Sequence, residues 1–117
     1  MTNPPPFPSV DDALLSEAVR RILSVGDPDQ IVLFGSHARG DARRDSDLDL
    51  LVVEPSELPR FRRPTRYRRA LRGLHPSKDV VVWTPEEVAE WSGVLNAFIA
   101  NALSEGRVLY SRADSSG

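Results

Sequence analysis

Leu14, Leu15, Ala18, Val19, Ile22 and Leu23 recur at steps of three and four residues, with Glu17, Arg20 and Arg21 left for the wet side. This spacing predicts an amphipathic helix. Ser9 reads as its N-cap, Asp12 supports its first turn, and Gly26 followed by Pro28 closes it near Val25. Gln30 to Phe34 is a short β-branched and aromatic run that predicts a first strand, ended at Gly35. Ser36 to Gly40 is then expected as a short helix and Asp41 to Ser46 as a polar turn. Leu48 to Val53 is a second apolar strand stopped before Pro55. Ser56 to Pro64 reads as loop. Beyond it Tyr67, Ala70, Leu71 and Leu74 form an apolar stripe on a helix whose other face carries Arg66, Arg68, Arg69 and Arg72. Lys78 to Thr84 predicts a third strand, and Thr84-Pro85-Glu86-Glu87 is a capping box with proline at the first helical position. That helical region should run to about Ser104, with a break near Ser92-Gly93. Gly106 then stops it before a fourth strand, Arg107 to Tyr110. The order predicts an α/β (α+β) domain in which helices back a small sheet of about four strands.

With 117 residues, 40% of them hydrophobic, the chain suits one core and one domain. That domain is expected over residues 9–112, flanked by a proline-rich arm (1–8) and a loose tail (113–117). No run of about 20 apolar residues is present, and Met1-Thr2-Asn3-Pro4 does not resemble a secretory leader. A cytoplasmic protein without a membrane span is therefore expected. The absence of cysteine excludes disulfides, thiolate metal sites and a thiol nucleophile, and leaves oxygen or imidazole ligands for any ion. The net charge of −2 conceals seven arginines between Arg60 and Arg72. That run is read first as a surface for an acidic partner or nucleotide phosphates, second as a solvated helix face, and last as a contact to RNA. Tyr67 lies on the apolar stripe and belongs to the core rather than to a stacking platform. Oligomeric state, including a homo-oligomer, is left open.

Asp47 and Asp49 stand two apart at the start of a predicted strand, and a period of two sends both side chains to one face. Two carboxylates at that separation repel unless a cation lies between them, and Mg2+ held jointly by carboxylates and substrate phosphates resolves the conflict. Asp79 opens the third strand in the same way, so level strand starts would bring a third carboxylate to the cluster, enough for two ions. Gly35 and Ser36 supply the complementary half. Glycine lets a phosphate approach the backbone, and the Ser36 hydroxyl with neighbouring N–H groups donates to it. A phosphate cradle beside a carboxylate and metal cluster suits in-line displacement at phosphorus.

Gly35-Ser36, ten intervening residues and Asp47-Leu48-Asp49 resemble the signature of the DNA polymerase beta-like nucleotidyltransferase superfamily. Gly35-Ser36-His37-Ala38-Arg39-Gly40 with Ser46-Asp47 is similar to its minimal nucleotidyltransferase (MNT) branch. The likeness runs on through Asp79 to Glu105-Gly106-Arg107-Val108-Leu109-Tyr110. The resemblance implies a small mixed sheet backed by helices. It makes Asp47 and Asp49 paired metal ligands, Asp79 the third carboxylate and activator of the acceptor hydroxyl, and Ser36 a triphosphate contact. It also implies Mg2+ and ATP, and a place among antitoxins partnered with HEPN-type ribonuclease toxins, some of which transfer AMP to a tyrosine of the toxin.

Each residue also has a blander reading. Asp47 and Asp49 would, without the Gly-Ser half, be a solvated junction, Asp79 would be a strand start, and Ser36 would be an N-cap. Arg39 is divided between a surface ion pair with Asp41 or Asp45 and a triphosphate contact. His37 and His75 are read as hydrogen-bonded or loop residues, and Trp83 and Trp91 as core or interface aromatics. Transfer to a small molecule or RNA end, or a non-catalytic antitoxin acting by binding alone, are the alternative functions.

Overall fold

The computed structural model describes residues 12–40, 46–74, 78–91 and 105–112. In chain order the elements are α1 (Asp12–Val25), β1 (Gln30–Phe34), α2 (Ser36–Arg39), β2 (Leu48–Val53), a 3-10 turn (Arg60–Arg62), α3 (Thr65–Ala70), β3 (Lys78–Trp83), α4 (Pro85–Trp91) and β4 (Arg107–Ser111). The expected Ser9 cap, residues 41–45 of the expected Asp41 to Ser46 turn, residues 92–104 of the expected last helical region and both chain ends lie outside the described residues.

The four strands form one mixed sheet in the order β3-β2-β1-β4. β1 pairs antiparallel with β2 and β4, whereas β2 and β3 run parallel and need a crossover, which the segment containing α3 supplies. Alternation along the strands divides the apolar residues between two faces. On one, Leu48, Leu50, Val52, Val80 and Val82 pack with Leu15, Ala18 and Ile22 of α1 and with Tyr67 and Leu71. On the other, Val32, Leu51, Val53 and Trp83 pack with Val88 of α4.

Three side chains depart from the periodic reading. Leu23 is 37% exposed: it is turned about 80° from Leu15 and about 100° from Ile22, away from the buried stripe. Arg21 is not simply solvated, because its guanidinium donates to the carbonyls of Ala70 and Arg72 at 3.3 and 3.1 Å, the unsatisfied acceptors where α3 ends. Ser36 is the first residue of α2 rather than its cap, which is Gly35. The capping box before α4 forms as expected. The Thr84 N–H donates to Glu87 at 2.9 Å, and the Glu87 N–H donates to Thr84 Oγ1 at 3.2 Å.

Tyr67 is fully buried, as the stripe predicts, and its hydroxyl donates to the buried carboxylate of Glu54, which Arg66 also grips. Burial and the adjacent Glu54 carboxylate push the Tyr67 phenol well above its ordinary range. The same cluster ties the end of β2 to α3, and the Glu54 N–H continues the β2–β3 ladder by donating to Trp83 O at 3.0 Å.

Candidate active site

β1 ends where the carboxylates begin. Phe34 is paired with Asp49 across the β1–β2 ladder, so the chain turns at Gly35 directly beside the Asp49 side chain. Gly35 has φ 75° and ψ −155°, a region that only glycine occupies without strain, and a Cβ here would overlap the Asp49 carboxylate. Its carbonyl accepts from the N–H groups of Ala38 and Arg39, both at 3.1 Å, which starts α2 one residue after the strand. Ser36 therefore follows the turn immediately, half-buried, at the same end of the sheet as Asp49.

In the parallel ladder Asp49 is the register partner of Asp79. Paired residues on adjacent strands share a face about 4.8 Å apart. Asp47, two residues before Asp49, precedes β2 and is exposed, Asp79 is exposed, and Asp49 is half-buried. Burial is the largest cause raising the Asp49 carboxyl above its usual range, with repulsion from Asp79 and then Asp47 adding to it. His37 and Arg39 act in the opposite direction. The strand starts are level, which sets Asp49 beside Asp79, and Asp49 feels the charge of both Asp79 and Asp47. The three do not form a closed cage: among the described residues no three His, Asp or Glu side chains converge tightly enough to hold an ion. The oxygen-only donor set and the mutual repulsion nonetheless suit a hard divalent cation that a phosphate would help to ligate.

Two flanking residues have defined partners. His37 Nε2 lies 3.0 Å from the carbonyl of Ser46, which ties α2 to the segment leading into β2. Arg39 reaches Glu105 at 3.3 Å with both side chains close to half exposed, while Asp41 and Asp45 lie outside the described residues. Glu105 carries no sequence signal of this role, since it stands 66 residues from Arg39. An open, mainly apolar groove of about 650 Å3, lined by Gln30, Val53, Pro85, Val88 and Ser111, opens at the other end of the sheet. It contains none of the three aspartates. No helix among the described residues is long and apolar enough to cross a membrane.

Residues 13–110 match the family described as the nucleotidyltransferase domain. A Methanocaldococcus jannaschii protein, named as a candidate protein adenylyltransferase, is 31% identical over 86 residues. The match spans 69% of this chain and 77% of that protein. Among solved structures, a candidate nucleotidyltransferase from Sulfolobus solfataricus superposes with a TM-score of 0.62 at 23% identity, covering 86% of this chain and 80% of that one. A toxin–antitoxin structure with AMP-PNP superposes with a TM-score of 0.61 at 18% identity, over 87% of this chain and 77% of that one. At such identities the structures show a shared fold, and that fold is the mixed sheet backed by helices seen here.

Proposed function

Because the chain belongs to the nucleotidyltransferase domain family and is a nucleotidyltransferase, we propose that it moves AMP from ATP to a hydroxyl of a partner protein. In this reading it is an antitoxin of the MNT type and the partner is a HEPN-type ribonuclease toxin. The observation that carries the proposal is the pairing of Asp49 with Asp79 on one face, with Asp47 two residues upstream and the Gly35 turn pressed against Asp49. The adenylyltransferase name of the archaeal relative and the toxin–antitoxin neighbours support the acceptor class.

In the proposed reaction the acceptor oxygen bonds to the α-phosphorus of ATP, the bond from that phosphorus to the bridging oxygen of the β-phosphate breaks, and pyrophosphate leaves. Asp79, on the edge strand, takes the hydroxyl proton. The Gly35 turn and Ser36 receive the triphosphate, where a glycine lets phosphate oxygens come close to main-chain N–H groups. The exposed Arg39–Glu105 pair is weak, so Arg39 can exchange Glu105 for a phosphate at little cost. Asp47 and Asp49, with Asp79, would hold Mg2+, two ions in the full arrangement, which when bound lowers the pKa of the attacking hydroxyl and neutralises the leaving pyrophosphate.

Purified toxin incubated with ATP, Mg2+ and the protein should gain the mass of AMP on one hydroxyl and lose ribonuclease activity. The Asp47→Asn/Asp49→Asn double variant should do neither. If the double variant neutralised the toxin at equal dose, the protein would act by contact alone.

A further inference from the structure

Asp47 lies just outside both strand ladders. The β1–β2 pairing ends with Phe34 against Asp49 and the β2–β3 pairing starts with Leu48 against Lys78, so sheet register fixes the chain from Leu48 onward and not at Asp47. Asp47 itself is exposed. On its N-terminal side the backbone has a different anchor. His37 Nε2 stands 3.0 Å from the carbonyl oxygen of Ser46, and that carbonyl belongs to the peptide group joining Ser46 to Asp47. A carbonyl oxygen can only accept, so Nε2 carries the proton, as it does in one neutral tautomer and in the charged ring. Because a peptide group is planar, holding its oxygen orients the plane from which Asp47 departs.

The helix that carries His37 is braced for this task. α2 is a single turn, started at the Gly35 carbonyl and closed by Gly40, which at φ 85° returns its N–H to Ser36 O at 3.0 Å. Ala38 packs against the core on one side of that turn, and half-buried His37 reaches Ser46, nine residues further along the chain, on another. The element that follows the Gly35-Ser36 turn is thereby joined to the entry of the strand that carries the carboxylates.

We infer that His37 is a positioning residue for metal binding: by holding the peptide between Ser46 and Asp47 it presents the Asp47 carboxylate to the ion that Asp49 shares. It couples the phosphate half of the site to the metal half while touching neither the ion nor the nucleotide. This inference rests on the reading of Asp47 and Asp49 as metal ligands given above. Removing a group that orients a ligand commonly weakens metal affinity by about 10–100-fold. Glutamine is the discriminating replacement. Its Nε2 lies as many bonds from the backbone as the Nε2 of histidine, whereas the asparagine amide nitrogen falls one bond short, where Nδ1 stands.

The test is binding of Mn2+ with α,β-methylene-ATP, measured by electron paramagnetic resonance on the full chain with no acceptor present. His37→Ala and His37→Asn should bind Mn2+ at least about tenfold more weakly, while His37→Gln stays close to the wild type. The Gln and Asn variants, matched by urea denaturation, carry the comparison if His37→Ala fails to fold. Equal Mn2+ affinity of His37→Gln and His37→Asn, whether kept or lost, overturns the inference. So does a nitrogen coupling to Mn2+ that is present in the wild-type spin-echo spectrum and absent from His37→Gln, which would make His37 a ligand. Asp47→Asn separates this inference from the reading beneath it. If that variant binds Mn2+ as the wild type does, Asp47 is no ligand and both fall. If it loses the ion while His37→Ala keeps it, the metal reading stands and the role of His37 is removed.

Discussion

At the scale of single residues, Gly35 is the position on which both halves of the site depend. Its conformation is closed to other residues, and its missing Cβ is the space that the Asp49 carboxylate uses. Gly35→Ala should cost about 1–3 kcal/mol in chemical denaturation and abolish nucleotide transfer. Asp49 presents the opposite case, a carboxylate whose burial beside two others works against its charged form. Its carboxyl is raised by burial and by Asp79 and Asp47, so the folded chain holds its proton more tightly than the unfolded chain does. The associated stability is complete below the ordinary carboxylate range and is lost as pH rises through the raised value. Asp49→Asn should therefore raise the melting temperature at pH 7 without divalent ions, while Mg2+ and ATP together should stabilise the wild type more than the variant.

At the scale of elements, α4 is fixed at its start by reciprocal bonds between Thr84 and Glu87, and Thr84→Ala should destabilise the protein by about 0.5–2 kcal/mol. Glu87 also pairs with Arg63 and Arg60 at 2.7 and 3.1 Å, and the hydrogen bond from Arg63 is the main cause holding its carboxyl at about 2 rather than 4.5. Its contribution is complete above about pH 4.5 and is lost as pH falls toward 2. Glu87→Gln should accordingly flatten the acid limb of the stability curve between those values, measured by urea denaturation at a series of pH. These pairs also mark where the sequence ceases to be readable. Gln30–Phe34 and Leu48–Val53 are legible because continuous apolar runs are local signals, and the capping box is legible because its two members are three residues apart. Periodicity carries no information about Arg63 meeting Glu87 or Arg39 meeting Glu105, which the chain brings together only by folding. The stripe through Leu74 suggests a longer α3 than the one that forms, because α3 gives way to turns that end at Gly73, with φ 92°.

At the scale of the whole molecule, strand order and register bring Asp79 beside Asp49. The spacing and the Gly35-Ser36 half single out Asp47 and Asp49 in the sequence as candidates, whereas the placement of Asp79 beside Asp49 depends on β2 and β3 pairing with level starts. Their register, Asp49 against Asp79, meets that condition. Tyr67 and Glu54 hold this arrangement from below by joining the end of β2 to α3. Tyr67→Phe should leave Glu54 with one donor fewer and cost about 1–3 kcal/mol in thermal or chemical denaturation.

The position of the label in ATP distinguishes transfer of a nucleotide by these aspartates from transfer of a phosphate. The purified protein, Mg2+ and the proposed toxin acceptor should yield labelled toxin from ATP marked at the α-phosphorus, none from ATP marked at the γ-phosphorus, and none from either with Asp47→Asn/Asp49→Asn. Toxin labelled from the γ-phosphorus would make the protein a phosphotransferase, and equal labelling by the double variant would move the chemistry away from Asp47 and Asp49.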